Sequence, residues 1–167
     1  ADLHTYLAAR AQAQATYTLA QNQRSTPGLI AALNALFAAN ERAFMLDGLD
    51  YAPVGVGAKP RPEFVDASGG ATAALQAWLL PHAGEPLTRE AAKNAAASAT
   101  AAEIARLLNG AAAGKVTLAG APLRSGDIAV LVRSRAQGTL MRAALAALNI
   151  GSVELAQSGI FQSGDAE

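Results

Sequence analysis

The chain has 167 residues, of which 51% are hydrophobic, 16% charged and only 5% aromatic, with 13 basic side chains balanced by 13 acidic ones. This composition suits one folded domain and excludes a disordered chain, while electroneutrality argues against a free-standing DNA-binding module, which carries a basic excess. The absence of cysteine excludes disulfides, thiolate-bound zinc and thiol nucleophiles, and two distant histidines, His4 and His82, offer no metal site.

Residues 2–14 read as a helix capped by Asp2, with Leu3, Tyr6, Leu7 and Arg10 at helical spacing. Residues 16–19, Thr-Tyr-Thr-Leu, are β-branched and aromatic and predict a short buried strand. A polar loop over 21–25 follows. Thr26-Pro27 then opens a helix, with the threonine as N-cap and the proline at the first helical position. That helix presents Leu29, Ile30, Leu33, Leu36 and Phe37 on one face and runs to about Asn40. Residues 41–62 lack a period and are interrupted by Gly48, Pro53, Gly55, Gly57, Pro60 and Pro62, which predicts a long irregular connection. Asp47 and Asp50 within it read as solvated turn residues.

Residues 63–66 predict a strand. Residues 74–80 fit a strand by alternation and a helix by alanine content, and Trp78 among them reads as core. Thr88 caps a helix expected over 89–108 and ended by Asn109-Gly110, with Ala92, Ala96, Ala99, Ile104, Leu107 and Leu108 facing inward. Residues 128–132, Ile-Ala-Val-Leu-Val, form the continuous apolar run expected inside a parallel sheet. After a polar turn at Arg133-Ser134-Arg135, a helix runs to about Leu148 with Leu140, Ala144, Leu145 and Leu148 inward. Residues 152–155 read as another strand, and the tail from Gln157 is polar.

Strands alternating with helices predict an α/β fold with a mainly parallel sheet flanked by helices, whose ligands sit beyond the carboxyl ends of the strands. Two polar loops lie there. Arg24, between a strand and a helix N-terminus, suits phosphate recognition by its planar fork and the helix dipole; a surface ion pair is the alternative. Arg133, Ser134 and Arg135, with Gln137 beyond, suit a phosphodiester backbone, or else form a solvated turn capped by Ser134. Residues 110–115, Gly-Ala-Ala-Ala-Gly-Lys, imitate a Walker loop but lack its length and its hydroxyl residue, and they precede a strand; they read as a helix–strand connection. No carboxylate pair, Ser-His-Asp set or GxSxG turn suggests catalysis.

The words carry further. Tyr17-Thr18-Leu19-Ala20-Gln21-Asn22-Gln23-Arg24-Ser25-Thr26-Pro27, followed by Asn34-Ala35-Leu36-Phe37, resembles motif IV of the UvrD-like superfamily 1 DNA helicases. Gly126-Asp127-Ile128-Ala129-Val130-Leu131-Val132-Arg133-Ser134-Arg135, and then Ile150-Gly151-Ser152-Val153, resemble the strand, loop and strand that follow in the same motor domain. Phe44-Met45, Trp78-Leu79 and Ser158-Gly159-Ile160-Phe161 fit best the RecB branch, the beta subunit of exodeoxyribonuclease V.

The resemblance implies a RecA-like (P-loop NTPase-like) fold, here a partial domain. Residues 1–167 would be the first half of the C-terminal motor domain: a lead-in helix over 1–15, the motif IV region over 16–40 and a strand–loop–helix–strand unit over 126–155. It implies a parent ATP-dependent helicase and exonuclease that unwinds and degrades duplex DNA ends in recombinational repair, using ATP and Mg2+. Arg24 would be the catalytic contact to the γ-phosphate. Gln23 stands where the family has an adenine-stacking aromatic, and offers a hydrogen bond in its place. Arg133, Ser134 and Arg135 would face the single-stranded DNA track. RecC- and RecD-like subunits would be partners. The chain alone, without Walker loop or nuclease domain, is expected to bind no cofactor and to be inactive, and an exposed sheet edge would let it pair with another copy. No run of about 18 apolar residues predicts a membrane span, and the default compartment is the bacterial cytoplasm. A UvrD- or AddA-type motor and a non-catalytic motor-like interaction module are the competing readings.

Overall fold

A computed structural model describes residues 3–40, 42–46, 49–70, 73–80, 84 and 86–155. The chain forms two compact units, Ala1–Arg61 with Ala71–Ala77, and Pro62–Gly70 with Trp78–Glu167. Asp2, Asp47, Gly48, His82 and the tail from Gln157 lie outside the described residues, as does the motif at 158–161.

The first unit holds α1 (Leu3–Gln12), β1 (Gln21–Asn22), α2 (Pro27–Ala38) and β2 (Gly55–Val56). β1 and β2 pair in parallel, Gln21 opposite Gly55 and Asn22 opposite Val56. α2 begins as its sequence dictates. Thr26 stays extended and its hydroxyl accepts from the Leu29 amide, while Pro27 occupies the first turn, where its missing N–H costs nothing. Ile30 is the buried residue of α2, and Leu29, Leu33 and Phe37 are half-buried beside it. The connection to β2 is irregular in backbone yet anchored by side chains. Phe37 stacks on Tyr51 with ring centroids 4.8 Å apart, and Phe44 lies 5.5 Å from Phe37.

The second unit contains β3 (Phe64–Asp66), α3 (Arg89–Ala112), β4 (Val116–Leu118), β5 (Ala121–Pro122), a 3-10 turn (Ser125–Asp127) and α4 (Arg135–Ala146). β3, β4 and β5 form an antiparallel sheet in that order. β4 and β5 are joined by Ala119-Gly120, both with positive φ, the arrangement a type I′ hairpin requires. α3 and α4 pack through Ala97, Ala101, Ile104, Met141 and Leu145. Val116, wholly buried, packs with Ala111 and Leu123 in an adjoining cluster.

Several expectations are corrected. The sheets are small, one parallel and one antiparallel, so a mainly parallel sheet is not what the described residues form. Residues 16–19 are not a strand: Tyr17 is 94% and Leu19 93% exposed, and pairing begins only at Gln21. Residues 128–132 and 152–155 likewise form no strand, and Leu131 and Leu155 are exposed. An apolar, β-branched run registers a demand for burial, but a strand exists only where another strand lies alongside, and none does among the described residues. Trp78 is half-exposed and its neighbourhood is neither helix nor strand, and Leu148 and Leu36 are exposed. Helix α3 outlasts Asn109-Gly110. It runs to Ala112 and is closed by Gly114, whose φ is +72°, with the Lys115 amide donating to the Gly110 carbonyl and the Gly114 amide to that of Ala111. That is a Schellman ending one turn later than expected. Its inward face is Ala97, Ala101, Ile104 and Ala111, and Ala96 points to solvent.

Candidate functional site

The Arg24 loop is built from its neighbours. β1 ends at Asn22, whose side-chain oxygen accepts from the amides of Arg24 and Ser25, each at 2.8 Å. Its amide nitrogen donates to the Ser25 hydroxyl at 3.2 Å. One asparagine thereby closes the turn that carries Arg24 into the cap of α2. Gln23 is turned to the segment after β2: its carbonyl oxygen accepts from the Lys59 amide at 3.1 Å. Its carboxamide lies over Gly57, where a Cβ would stand 2.2 Å from it and would oblige this flexible side chain to shift. Arg61 donates to the carbonyls of Asn22, Ser25, Gly57 and Lys59.

Arg24 itself is exposed, and its guanidinium has no hydrogen bond or ion pair among the described residues. An arginine fork is thus offered from a braced loop at the head of a helix, where partial positive charge collects. Such an arrangement can take two oxygens of a phosphate or carboxylate.

The second predicted loop lies in the other unit. Ser134 is the N-cap of α4, its hydroxyl accepting from the Gln137 amide, and the Gln137 side chain in turn accepts from the Arg133 amide at 2.9 Å. The hydroxyl oxygen therefore serves as the helix cap, and Arg133 and Arg135 are exposed. Their loop edges an open groove lined in part by Ile128, Leu131, Met141 and Val153. Across it Arg142 pairs with Glu154 at 3.4 Å.

Sequence reasoning placed Asn22 in the first loop without its turn-closing role, and missed Arg61 and Gly57 as parts of that loop. The available signal was a single arginine between Pro60 and Pro62 in a stretch otherwise read as irregular. It also missed the cluster of Asp66, Ser68, Glu103 and Arg106. There the Arg106 guanidinium and the Ser68 hydroxyl and amide hold the Asp66 carboxyl well below the usual carboxylate range. Glu103 and Asp66 push the Arg106 pKa up. Among the described residues no group of three or more histidine, cysteine or acidic side chains could hold a metal. No helix among them is long and apolar enough to cross a membrane.

The described residues thus form an α/β scaffold that carries an exposed arginine on a loop closed by Asn22 and Arg61. No protein-family model matches the chain. Over its whole length it is 33% identical, across 172 aligned positions, to the RecBCD enzyme subunit RecB of Escherichia coli (strain K12). The chain spans 14% of that protein's length. This similarity supports a relationship to RecB.

Proposed function

We propose that this chain is part of the second RecA-like motor domain of a RecB-like DNA helicase–nuclease subunit, in which Arg24 meets the γ-phosphate of ATP. The observation that carries the reading is the pairing of whole-length similarity to RecB with an exposed arginine on a braced loop. In phosphoryl transfer charge spreads over the transferring oxygens, and a guanidinium supplied from outside the nucleotide site stabilises it. ATP and Mg2+ would be held by other segments of the parent. Gln23, engaged with Lys59, would brace the loop and not stack on adenine. Arg133 and Arg135 would lie on the single-stranded DNA track, with Ser134 acting through the cap of α4. RecC- and RecD-like subunits would complete the assembly. The exposed apolar segments at 16–19, 128–132 and 152–155 support this reading, because strands of a larger sheet would carry that pattern. The same edges would let the chain by itself pair with a second copy. Alone it would not hydrolyse ATP.

The test is DNA-stimulated ATP hydrolysis by the full-length parent, wild type beside Arg24→Ala. A fall of at least about 100-fold with ATP still bound is expected of an arginine at the phosphoryl group. An unchanged rate would replace this reading with a non-catalytic, partner-binding motor-like module.

A further inference from the structure

We infer that Arg61 is a positioning residue for Arg24, an inference that rests on the phosphate-contacting reading of Arg24 and extends it to a residue outside the motif. Arg61 is half-buried, and its guanidinium reaches four backbone carbonyls from separate stretches of the first unit. Nε donates to Ser25 at 2.9 Å, Nη1 to Gly57 and to Lys59 at 2.6 Å each, and Nη2 to Asn22. Two of these carbonyls, those of Asn22 and Ser25, bracket Arg24 in the chain. The other two belong to the segment that leaves β2. One planar fork therefore fixes the loop against the strand beside it.

The residue type follows from the chemistry. Pro60 and Pro62 flank Arg61 and have no N–H to donate, so the donors offered from this stretch come from the Arg61 side chain; the Asn22 carbonyl also accepts from the Gly57 amide at 3.0 Å. Four carbonyl acceptors met from Nε, Nη1 and Nη2 suit a guanidinium, with its five donors in fixed geometry, and exceed the three donors of a lysine ammonium. Among the described residues no carboxylate pairs with Arg61. Its charge therefore remains to raise the positive potential beside Arg24, which favours an approaching phosphate.

The experiment uses the full-length parent with Arg61→Gln, Arg61→Lys, Arg24→Ala and the Arg24→Ala/Arg61→Gln double variant. It reads kcat and KM for ATP, and amide hydrogen exchange by residue. Arg61→Gln is expected to lower kcat about 10- to 100-fold, as displacement of a reacting group does. Exchange should quicken over residues 22–26 and stay unchanged in α3. Arg61→Lys, charged but without the fork, is expected to resemble Arg61→Gln, and it carries the test if the glutamine variant fails to fold. The double variant should be no slower than Arg24→Ala alone, because a misplaced arginine that is already absent costs nothing more. The inference is overturned if Arg61→Gln leaves kcat and loop exchange unchanged, if lysine restores both, or if the two losses multiply. If Arg24→Ala itself keeps full activity, the proposed function fails, and faster exchange at 22–26 in Arg61→Gln would then mark Arg61 as a brace without catalytic consequence.

Discussion

Arg106, in the C-terminal third of α3, donates to the carboxylate of Asp66, the last residue of β3, at 2.8 Å. The Asp66 side chain is 4% exposed, whereas that of Arg106 is 32% exposed and also meets Glu103 one turn away. Ser68 completes the carboxylate's shell with its amide and hydroxyl. Helix and sheet are thus joined by a charged contact beside the apolar one, and the carboxylate has a donor for each oxygen.

The first prediction concerns acid. An unfolded aspartate titrates near about 3.9, and Asp66 is held well below that by Arg106 and Ser68. In that window the unfolded chain binds the extra proton, so stability rises with pH. The contribution is fully present above about pH 5 and is lost as pH falls toward the folded value. Asp66→Asn should lower the urea midpoint at pH 7 and flatten its dependence on pH below about 5. Equal slopes for the two proteins over that range would show that the pair is not formed in solution.

Gly110 provides a prediction opposite in sign to helix propensity. Replacing a helical glycine by alanine stabilises an exposed helix by up to about 1 kcal/mol. Here a Cβ would stand 2.6 Å from Cγ2 of Val116 and 3.2 Å from Ser68. Val116 is fully buried and has nowhere to move. Gly110→Ala should therefore destabilise by about 1 to 3 kcal/mol, the range for overpacking. Chemical denaturation decides the sign.

Asn34 ties α2 to the lead-in of β2. Its side chain donates to the Val54 carbonyl at 2.9 Å and accepts from the Val54 amide at 3.1 Å and the Tyr51 hydroxyl at 2.6 Å. Asn34→Ala removes all three and leaves half-buried polar groups of Val54 and Tyr51 without partners. The expected cost is about 2 kcal/mol. Asn34→Asp should recover only part of it, since the carboxylate cannot donate to the Val54 carbonyl. A loss confined to a few tenths would mean that water replaces the clamp.

What the sequence made legible was local. Thr26-Pro27, Thr88 and Ser134 each mark a helix start, because a hydroxyl capping an orphan amide is a contact three residues long. The strand at Phe64–Asp66 was legible from its own residues, although its partner was not, and β1 at Gln21–Asn22 falls inside the stretch read as a polar loop and not at 16–19. What decides the sheets is partnership over distance. Val116-Thr117-Leu118 pairs with Phe64–Asp66 from far along the chain, and the hairpin to β5 hides behind Ala119, a residue that seldom takes positive φ. Arg61 was illegible because its partners are carbonyls, which every residue has.

Leu145 and Leu131 separate burial from apolar pattern. Leu145 is 6% exposed in the α3–α4 core, whereas Leu131 is 96% exposed within an unbroken apolar run. In the 167-residue chain, Leu145→Ala should cost about 3 kcal/mol, and Leu131→Ala should stay within about 0.5 kcal/mol. If the chain belongs to a larger motor domain, residues 128–132 gain strand neighbours in the full-length protein. Leu131→Ala would then approach the cost of Leu145→Ala, while Leu145→Ala would change little. Thermal unfolding of both variants in both contexts distinguishes the cases. A Leu131→Ala cost that stays small in the full-length protein would mean that this run is a surface feature, and the motor-sheet reading of residues 128–132 would fall while the braced Arg24 loop of the other unit stood unaffected.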